Sequence, residues 1–302
     1  MMRSLVIDSM TDIVIEPVSS RTMREVAAFI AAQSEQRWDA PAEDADKPCA
    51  WHGFLATHHG EIVGSVIGRA RPGLDEEESF MYPSVFVATA HRRQGIGRRL
   101  VAALKNAPEH TTPRAWAIAY GDKDSDAERF ALAAGFVFRD EQVHYALELP
   151  APDRRTDARW RIVEYHGGND AYDAALLPLH AQGYRGRFGL PRMTVENLKQ
   201  QLAAPGMTYL LVFDGELLAG YASLAVNGTL LWVDSVVVTR SHWASGVSDV
   251  IGHELAAFGA KQGCTRAEAA ADERNHASRR LMLRCGWHES KRVRRFSLQL
   301  HA

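Results

Sequence analysis

Apolar residues recur along this chain in two rhythms. Short unbroken or alternating runs, the two-residue period of a strand, occur at Ile13-Val14-Ile15 and at residues 51–56, 61–67, 82–87, 115–119 and 143–149. His59-Gly60, between the second and third runs, predicts a hairpin turn. Helical spacing occurs at 21–36, where Val26, Phe29 and Ile30 share a face, at 95–106, and from about Asp124 to Ala134. Gly135 follows, a residue that easily takes the left-handed conformation that ends a helix. Mixed strands interleaved with helices predict an α/β fold.

The pattern then begins again. Val85-Phe86-Val87 aligns with Val236-Val237-Val238, His91 with His242, Gly95 with Gly246, and Gly135-Phe136 with Gly286-Trp287, a constant offset of 151 residues. Upstream, His59-Gly60-Glu61-Ile62-Val63-Gly64 is echoed by Asp214-Gly215-Glu216-Leu217-Leu218-Ala219-Gly220. Repeats this long predict two domains rather than a solenoid, 1–152 and 153–302. Leu149-Pro150-Ala151-Pro152-Asp153-Arg154-Arg155 breaks the strand pattern at the join.

The most informative segment is Arg92-Arg93-Gln94-Gly95-Ile96-Gly97, between an apolar run and a helix. A helix start exposes unpaired N–H groups and a partial positive charge, glycine lets the backbone approach an anion, and the arginines add charge. The segment reads as an anion cradle, with a plain tight turn as the bland alternative. It lacks the third glycine of a dinucleotide fingerprint and the Gly-Lys-Ser/Thr of a P-loop. Residues 85–100 resemble the acetyl-CoA loop of the GNAT superfamily of N-acetyltransferases, Arg/Gln-x-x-Gly-x-Gly/Ala after a strand. The element order β-α-α-β-β-β-α-β-α-β resembles that family's fold twice over. The resemblance implies two tandem GNAT domains, each a mixed, mostly antiparallel sheet flanked by helices. It also implies acetyl-CoA as co-substrate, held by Val85, Phe86, Val87, Arg92, Arg93, Gln94, Gly95, Ile96, Gly97, Arg98 and Asp124.

The copies are unequally equipped. The second loop, Trp243-Ala244-Ser245-Gly246-Val247-Ser248, loses the leading Arg/Gln, ends in serine, and has Asp249 where the first has Arg98. A carboxylate facing a pyrophosphate is repelled, so the second cradle is expected to be degenerate and the first to bind the cofactor. Residues 275–287 resemble the family's Asn-x-x-Ala-x-x-Leu-Tyr-x-x-x-Gly-Phe segment, in which Asn contacts the pantetheine arm and Tyr protonates the departing thiolate. Asn275 is present, but Met282 replaces the tyrosine, and the first copy has Asp124 and Ala131 at these places. Tyr120 and Tyr145 are substitutes for the acid, with core packing as their alternative role. For the base, the family places a carboxylate on the strand before the loop. Asp234 matches it in the second copy, where the first has Pro83. His52, His58 and His59 are further candidates, otherwise plain turn histidines.

Bulk properties exclude more than they identify. Hydrophobic content of 46% with 24% charged residues is ordinary for a soluble chain, and a net charge of −2 gives no reason to expect nucleic acid or a membrane surface. Cys49, Cys264 and Cys285 show no disulfide or metal spacing, which suits a reducing cytoplasm, and no metal is expected. Asp39, Glu43, Asp44, Asp46 and Asp75-Glu76-Glu77-Glu78 lie in loops that border the acceptor cleft in the family, which implies a small, cationic amine acceptor. The expectation is an acetyl-CoA-dependent N-acetyltransferase acting by direct attack, with a homodimer as an option. Its rivals are a non-catalytic acetyl-CoA sensor and catalysis by the C-terminal copy, the arrangement of the mycothiol synthases, which the chain resembles in architecture.

Overall fold

The computed structural model describes residues 12–33, 51–73, 77–107, 114–150, 159–185 and 192–300. By contacts the chain forms two compact units, one of residues 1–139 with 296–302 and the other of 140–295.

The first unit begins with strand β1 (Ile13–Pro17) and helix α1 (Met23–Gln33), whose Val26 and Ile30 are buried. The hairpin β2 (Trp51–His58) and β3 (Glu61–Pro72) follows, closed where expected by His59 and Gly60, both with positive φ. Next come β4 (Glu78–Met81), β5 (Ser84–Val87), α2 (Ile96–Lys105), β6 (Arg114–Gly121) and α3 (Asp126–Ala133). The strand expected at 82–87 is shortened to β5, since Pro83 cannot donate to a ladder, and a separate strand, β4, precedes it. The sheet order is β1-β2-β3-β4-β6, with β5 held by β3. Its core lies between sheet and α2, where Ile96, Leu100 and Leu104 pack on Val63, Val66 and Met81.

The second unit contains β7 (Val137–Glu148) from residue 140 onward, then β8 (Trp160–Tyr165), α4 (Asp170–Tyr184), α5 (Val195–Ala203), β9 (Met207–Asp214) and β10 (Leu217–Asn227). It continues with β11 (Leu230–Val238), α6 (Val247–Lys261), β12 (Arg266–Asp272), α7 (His276–Arg284) and β13 (His288–Leu300), the last as far as residue 295. Its sheet runs β7-β12-β11-β10-β9-β8. One face packs on α6 through Ile251, Leu255 and Phe258, the other on α4 and α5 through Leu176, Leu179, Leu198 and Leu202.

The packed units do not coincide with the sequence copies 1–152 and 153–302. The expected join falls in residues 151–158, outside the described residues. Residues 143–149, which read as the last strand of the first copy, complete the second unit instead. Tyr145 and Leu147 lie opposite Ala269 and Ala267 of β12, and Val143, Tyr145 and Leu147 enter that core. In return Phe296, Leu298 and Leu300 at the end of β13 pack in the first unit with Val101, Ala117 and Phe136. The copies exchange their final strands. Within the second unit, where β7 and β13 enter it, Arg295 grips Asp140 in a buried two-pronged pair (Nε to Oδ1, 2.6 Å). Losing one partner of such a pair costs about 3–5 kcal/mol, since the other charge stays buried.

Candidate active site

In the first unit a 3-10 turn at Thr89–His91 leads from β5 to the loop, and α2 starts at Ile96. Arg93 (φ 61°) and Gly95 (φ 79°) are both left-handed. Glycine adopts that conformation freely, whereas a non-glycine residue there costs of order 1–3 kcal/mol. The helix ladder opens with Arg99 N–H on the Gly95 carbonyl at 3.1 Å. The N–H groups of Ile96, Gly97 and Arg98 are therefore first-turn donors without a helical acceptor, suited to an anion. A Cβ on Gly97 would stand 2.8 Å from Phe130 Cε2, so only glycine lets α2 sit this close to α3.

The arginines divide their work. Arg92 Nε donates to the Val87 carbonyl (3.0 Å) and Gln94 Nε2 to the Ala90 carbonyl (3.3 Å), so both side chains brace the loop. Arg93 lies 3.8 Å from Asp126 with both groups exposed, a pair worth little in water. Arg98 turns over Gly95, its Nη2 3.7 Å from where a Cβ would stand. These two supply the loop's charge. Beside them the sheet opens. β4 runs parallel to β6 as far as Met81 opposite Ala117, while β5 pairs with β3. Val85, Phe86 and Val87 thus carry one edge of backbone donors and acceptors directed away from β3.

The second loop repeats this backbone. Ala244 (φ 64°) and Gly246 (φ 90°) stand where Arg93 and Gly95 do. Trp243 Nε1 donates to the Val238 carbonyl (3.2 Å), the counterpart of Arg92 to Val87. An indole N–H has replaced a guanidinium N–H without loss of the brace. Asp249 is engaged by Arg284 of α7 (Nη2 2.9 Å, Nε 3.2 Å), so its charge is matched rather than aimed alone at a ligand. The sheet opens here too, since β11 pairs in parallel with β12 only from Leu230 to Val233.

Asp234 sits where that opening begins. Opposite β10, Ser223 pairs with Ser235 and Leu224 with Val233, which leaves Asp234 as the extra residue of a bulge. Bulges re-aim side chains beside active sites. Its carboxylate accepts from Ser223 Oγ (3.3 Å) and Ser235 Oγ (3.4 Å), and Ser235 in turn accepts from Tyr184 OH (2.7 Å). The residue keeps solvent contact, yet protein crowds the carboxyl on most sides, and that desolvation lifts its pKa above the usual carboxylate value. Around it His180 Nδ1 meets Tyr221 OH at 2.6 Å, and Tyr209 OH donates to Gln201 Oε1 at 2.8 Å. Burial holds His180 neutral, with a pKa of about 4, and pushes both tyrosines above their ordinary range. Perturbed groups gathered at a strand bulge make this a candidate functional site.

The model of the acetyltransferase (GNAT) family matches residues 21–136 and 174–287, more than half of the chain. The chain belongs to the GNAT family. Its fold is shared by a tandem GNAT protein from the clavulanic acid biosynthesis pathway at 17% identity, 96% of this chain, 99% of that one and a TM-score of 0.69. A GNAT from Sphaerobacter thermophilus (17% identity, 97% of each chain, TM-score 0.60) and an acetyltransferase fold from Pyrococcus horikoshii (14%, 96% and 90%, TM-score 0.60) are similar as well. Comparison with curated proteins returns no match.

Against the GNAT expectations, the remaining candidates distribute as follows. Asp124 has its backbone committed, its N–H to the Glu128 carboxylate and its carbonyl to Arg129, and Ser125 rather than Asp124 caps α3. Asn275 is the cap of α7, accepting from Ser278 N–H. Met282 and Ala131, at the GNAT tyrosine positions, are core residues. Tyr145 is wholly buried in the second unit and accepts from Arg279 Nε (3.1 Å), which makes it a packing residue. Tyr120 is 41% exposed and stacks parallel to Tyr82 across the first unit's opening, ring centres 6.2 Å apart. Of the acidic acceptor loops, 39–46 and 74–76 lie outside the described residues. Sequence reasoning missed His180, Tyr184, Tyr209 and Tyr221. Of these only Tyr221, in the alternation Tyr221-Ala222-Ser223, left a local signal.

Proposed function

We propose that this GNAT protein transfers the acetyl group of acetyl-CoA to a primary amine of a small molecule by direct attack, and that the amine is deprotonated in the second unit by Asp234. The bulge carries this reading. It turns one carboxyl into the place where the GNAT sheet opens, braced by two serine hydroxyls and with its pKa raised above the usual carboxylate value by desolvation. A protonated substrate amine gives a proton to Asp234, the neutral amine attacks the thioester carbonyl, and the C–S bond breaks as the C–N bond forms. The departing thiolate takes the proton that the attacking nitrogen loses, through water, since Met282 and Ala131 hold the GNAT tyrosine positions. The open edge of β11 beyond Val233 offers backbone donors to the acyl oxygen, and such donors are worth ~3 kcal/mol each at a tetrahedral transition state. The loop at 243–248 supports this because its backbone follows the first loop and Arg284 offsets Asp249.

A second reading keeps transfer in the first unit. Its support is the charge of Arg93 and Arg98 beside the open edge of Val85–Val87. There no carboxylate stands at the bulge position, which Pro83 occupies, and Tyr82 and Tyr120 line the gap. Turnover of an amine panel by Asp234→Asn separates the two readings. Loss of activity with acetyl-CoA binding retained supports the second unit, and unchanged turnover assigns chemistry to the first. No turnover of any amine by the unmodified chain would favour an acetyl-CoA sensor. The proposal includes a cytoplasmic setting. Among the described residues no helix is long and apolar enough to cross a membrane.

A further inference from the structure

The two units carry the same three-point junction where the first strand, the first hairpin and the 3-10 turn before the cofactor-type loop converge. In the second unit it is an ion-pair cluster. Arg159, just before β8, pairs with Asp214 at the end of β9, and Asp214 faces His242 Nε2 at 3.4 Å. His242 Nδ1 also meets Thr239 Oγ1 (2.7 Å) and Ser241 Oγ (3.0 Å). Arg159 lowers the Asp214 pKa. Every group there has its partner, and the charges balance.

The ladders place the first unit's residues in register with these. Ile13 lies opposite His58 as Trp160 lies opposite Asp214, so Asp12 stands for Arg159, His58 for Asp214, and His91 for His242. The ion pair is gone. Asp12, His58 and His59 bring one donor atom each within 4.8 Å of one another. His91 stands edge-on to His58, ring centres 5.4 Å apart. Ala88 and Ala90 replace the two hydroxyl residues that satisfy His242, and the buried Nδ1 of His91 has no hydrogen-bond partner. His59 holds φ 51° in a turn position where asparagine would fit more easily. An arginine, a carboxylate and two hydroxyls have thus given way to a carboxylate, an imidazole and two alanine methyls, and the turn residue His59 adds a second imidazole.

We propose that Asp12, His58 and His59, with His91 beside them, bind a divalent first-row metal ion of the zinc type. Imidazole and carboxylate are the donors such ions take, at ~2.0–2.2 Å, and an open fourth position is ordinary. The separation of His59 Nε2 from Asp12 Oδ2, 4.0 Å, closes onto one ion with small rotations of exposed side chains. Spacing in the sequence could not show this set, because it comes from three separate segments. His91 directly precedes Arg92, so the ion would tie β1 and the hairpin to the root of the cofactor-type loop, as the Arg159–Asp214–His242 cluster does in the second unit. The inference is independent of which unit performs transfer.

The test is calorimetric titration of the full chain, without a histidine tag, with Zn²⁺ alone, and the visible spectrum with Co²⁺. The unmodified chain should take one equivalent and give the intense bands of a low-coordinate cobalt site. His59→Asn, which suits the turn, should weaken binding about tenfold or more. Asp12→Arg/His58→Asp, which writes the second unit's ion pair into the first, should abolish binding and keep the melting temperature. A chain that takes up no Zn²⁺, or variants that bind it as the unmodified chain does, would overturn the proposal.

Discussion

The loops at 92–97 and 243–248 follow the same backbone with different chemistry. Both turn through two left-handed residues, and both are braced by a side-chain N–H on the last carbonyl of the preceding strand, one from arginine and one from tryptophan. The first adds exposed arginines. The second adds an aspartate held by Arg284, and has the bulge carboxylate that the first lacks. Judging a cradle by its motif letters weighs side chains that here only brace the loop. Its first-turn donors are backbone N–H groups, and almost any sequence that reaches the same φ angles provides those. The comparison separates two features, the exposed positive charge of the first loop and the bulge carboxylate of the second unit.

The largest expected effect tests the base. Asp234→Asn should lower kcat/KM for the amine by ~10²–10⁴-fold. The same change should leave the melting temperature at neutral pH unchanged or higher. The folded pKa of Asp234 is raised, so its protonated form favours folding, and that contribution is lost as pH rises through the folded pKa. A variant with full activity would move catalysis to the first unit.

Next comes pH dependence of the polar cluster. His180 is held neutral with a pKa of about 4 against 6.5 when unfolded. Its depressed value gives stability that is complete above pH 6.5 and fades as pH falls toward 4, on the order of 3 kcal/mol in all. Urea melts of the unmodified chain and of His180→Phe across that window should differ in slope, and parallel curves would mean that His180 is not buried neutral.

Gly95→Asp, which sets a carboxylate in the first cradle and adds the backbone cost of a non-glycine residue at φ 79°, should weaken acetyl-CoA there by at least about tenfold, roughly 1.4 kcal/mol. Calorimetric stoichiometry then reports on the second loop, because a site that survives this change belongs to 243–248. The smallest effect concerns that loop's charge. Arg284→Ala frees Asp249 and should weaken the surviving site only a few-fold, as expected of an exposed pair worth ~0.2–1 kcal/mol.

Much of this was legible from residue order. The helices at 23–33, 96–105 and 126–133 lie where apolar spacing, Gly95 and Gly135 put them, and the His59-Gly60 turn is where the hairpin closes. The N-terminal loop announces itself because its chemistry is local, six consecutive residues between a strand and a helix. Which sheet residues 143–149 join is not legible, for an equally local reason. Their alternation states which side chains turn inward but not which neighbour supplies the ladder, and 293–300 has much the same alternation. Asp234 was named as a candidate, yet its worth depends on a one-residue register shift against β10. Tyr184, 51 residues away from Ser235 along the chain, could join that cluster only through tertiary packing.

The sequence by itself determined the tandem repeat, most of the succession of elements and the loop-to-helix turn at 92–97 with its arginines. Each follows from periodicity, glycine placement and charge over a few residues. Tertiary structure alone decided which unit each final strand completes, that Trp243 replaces Arg92 without loss of the brace, and that Arg284 offsets Asp249. It also gathered His180, Tyr184, Tyr221 and Asp234 about one opening in the sheet. Those outcomes depend on register and on contacts between residues tens to more than a hundred positions apart, and no local pattern encodes them.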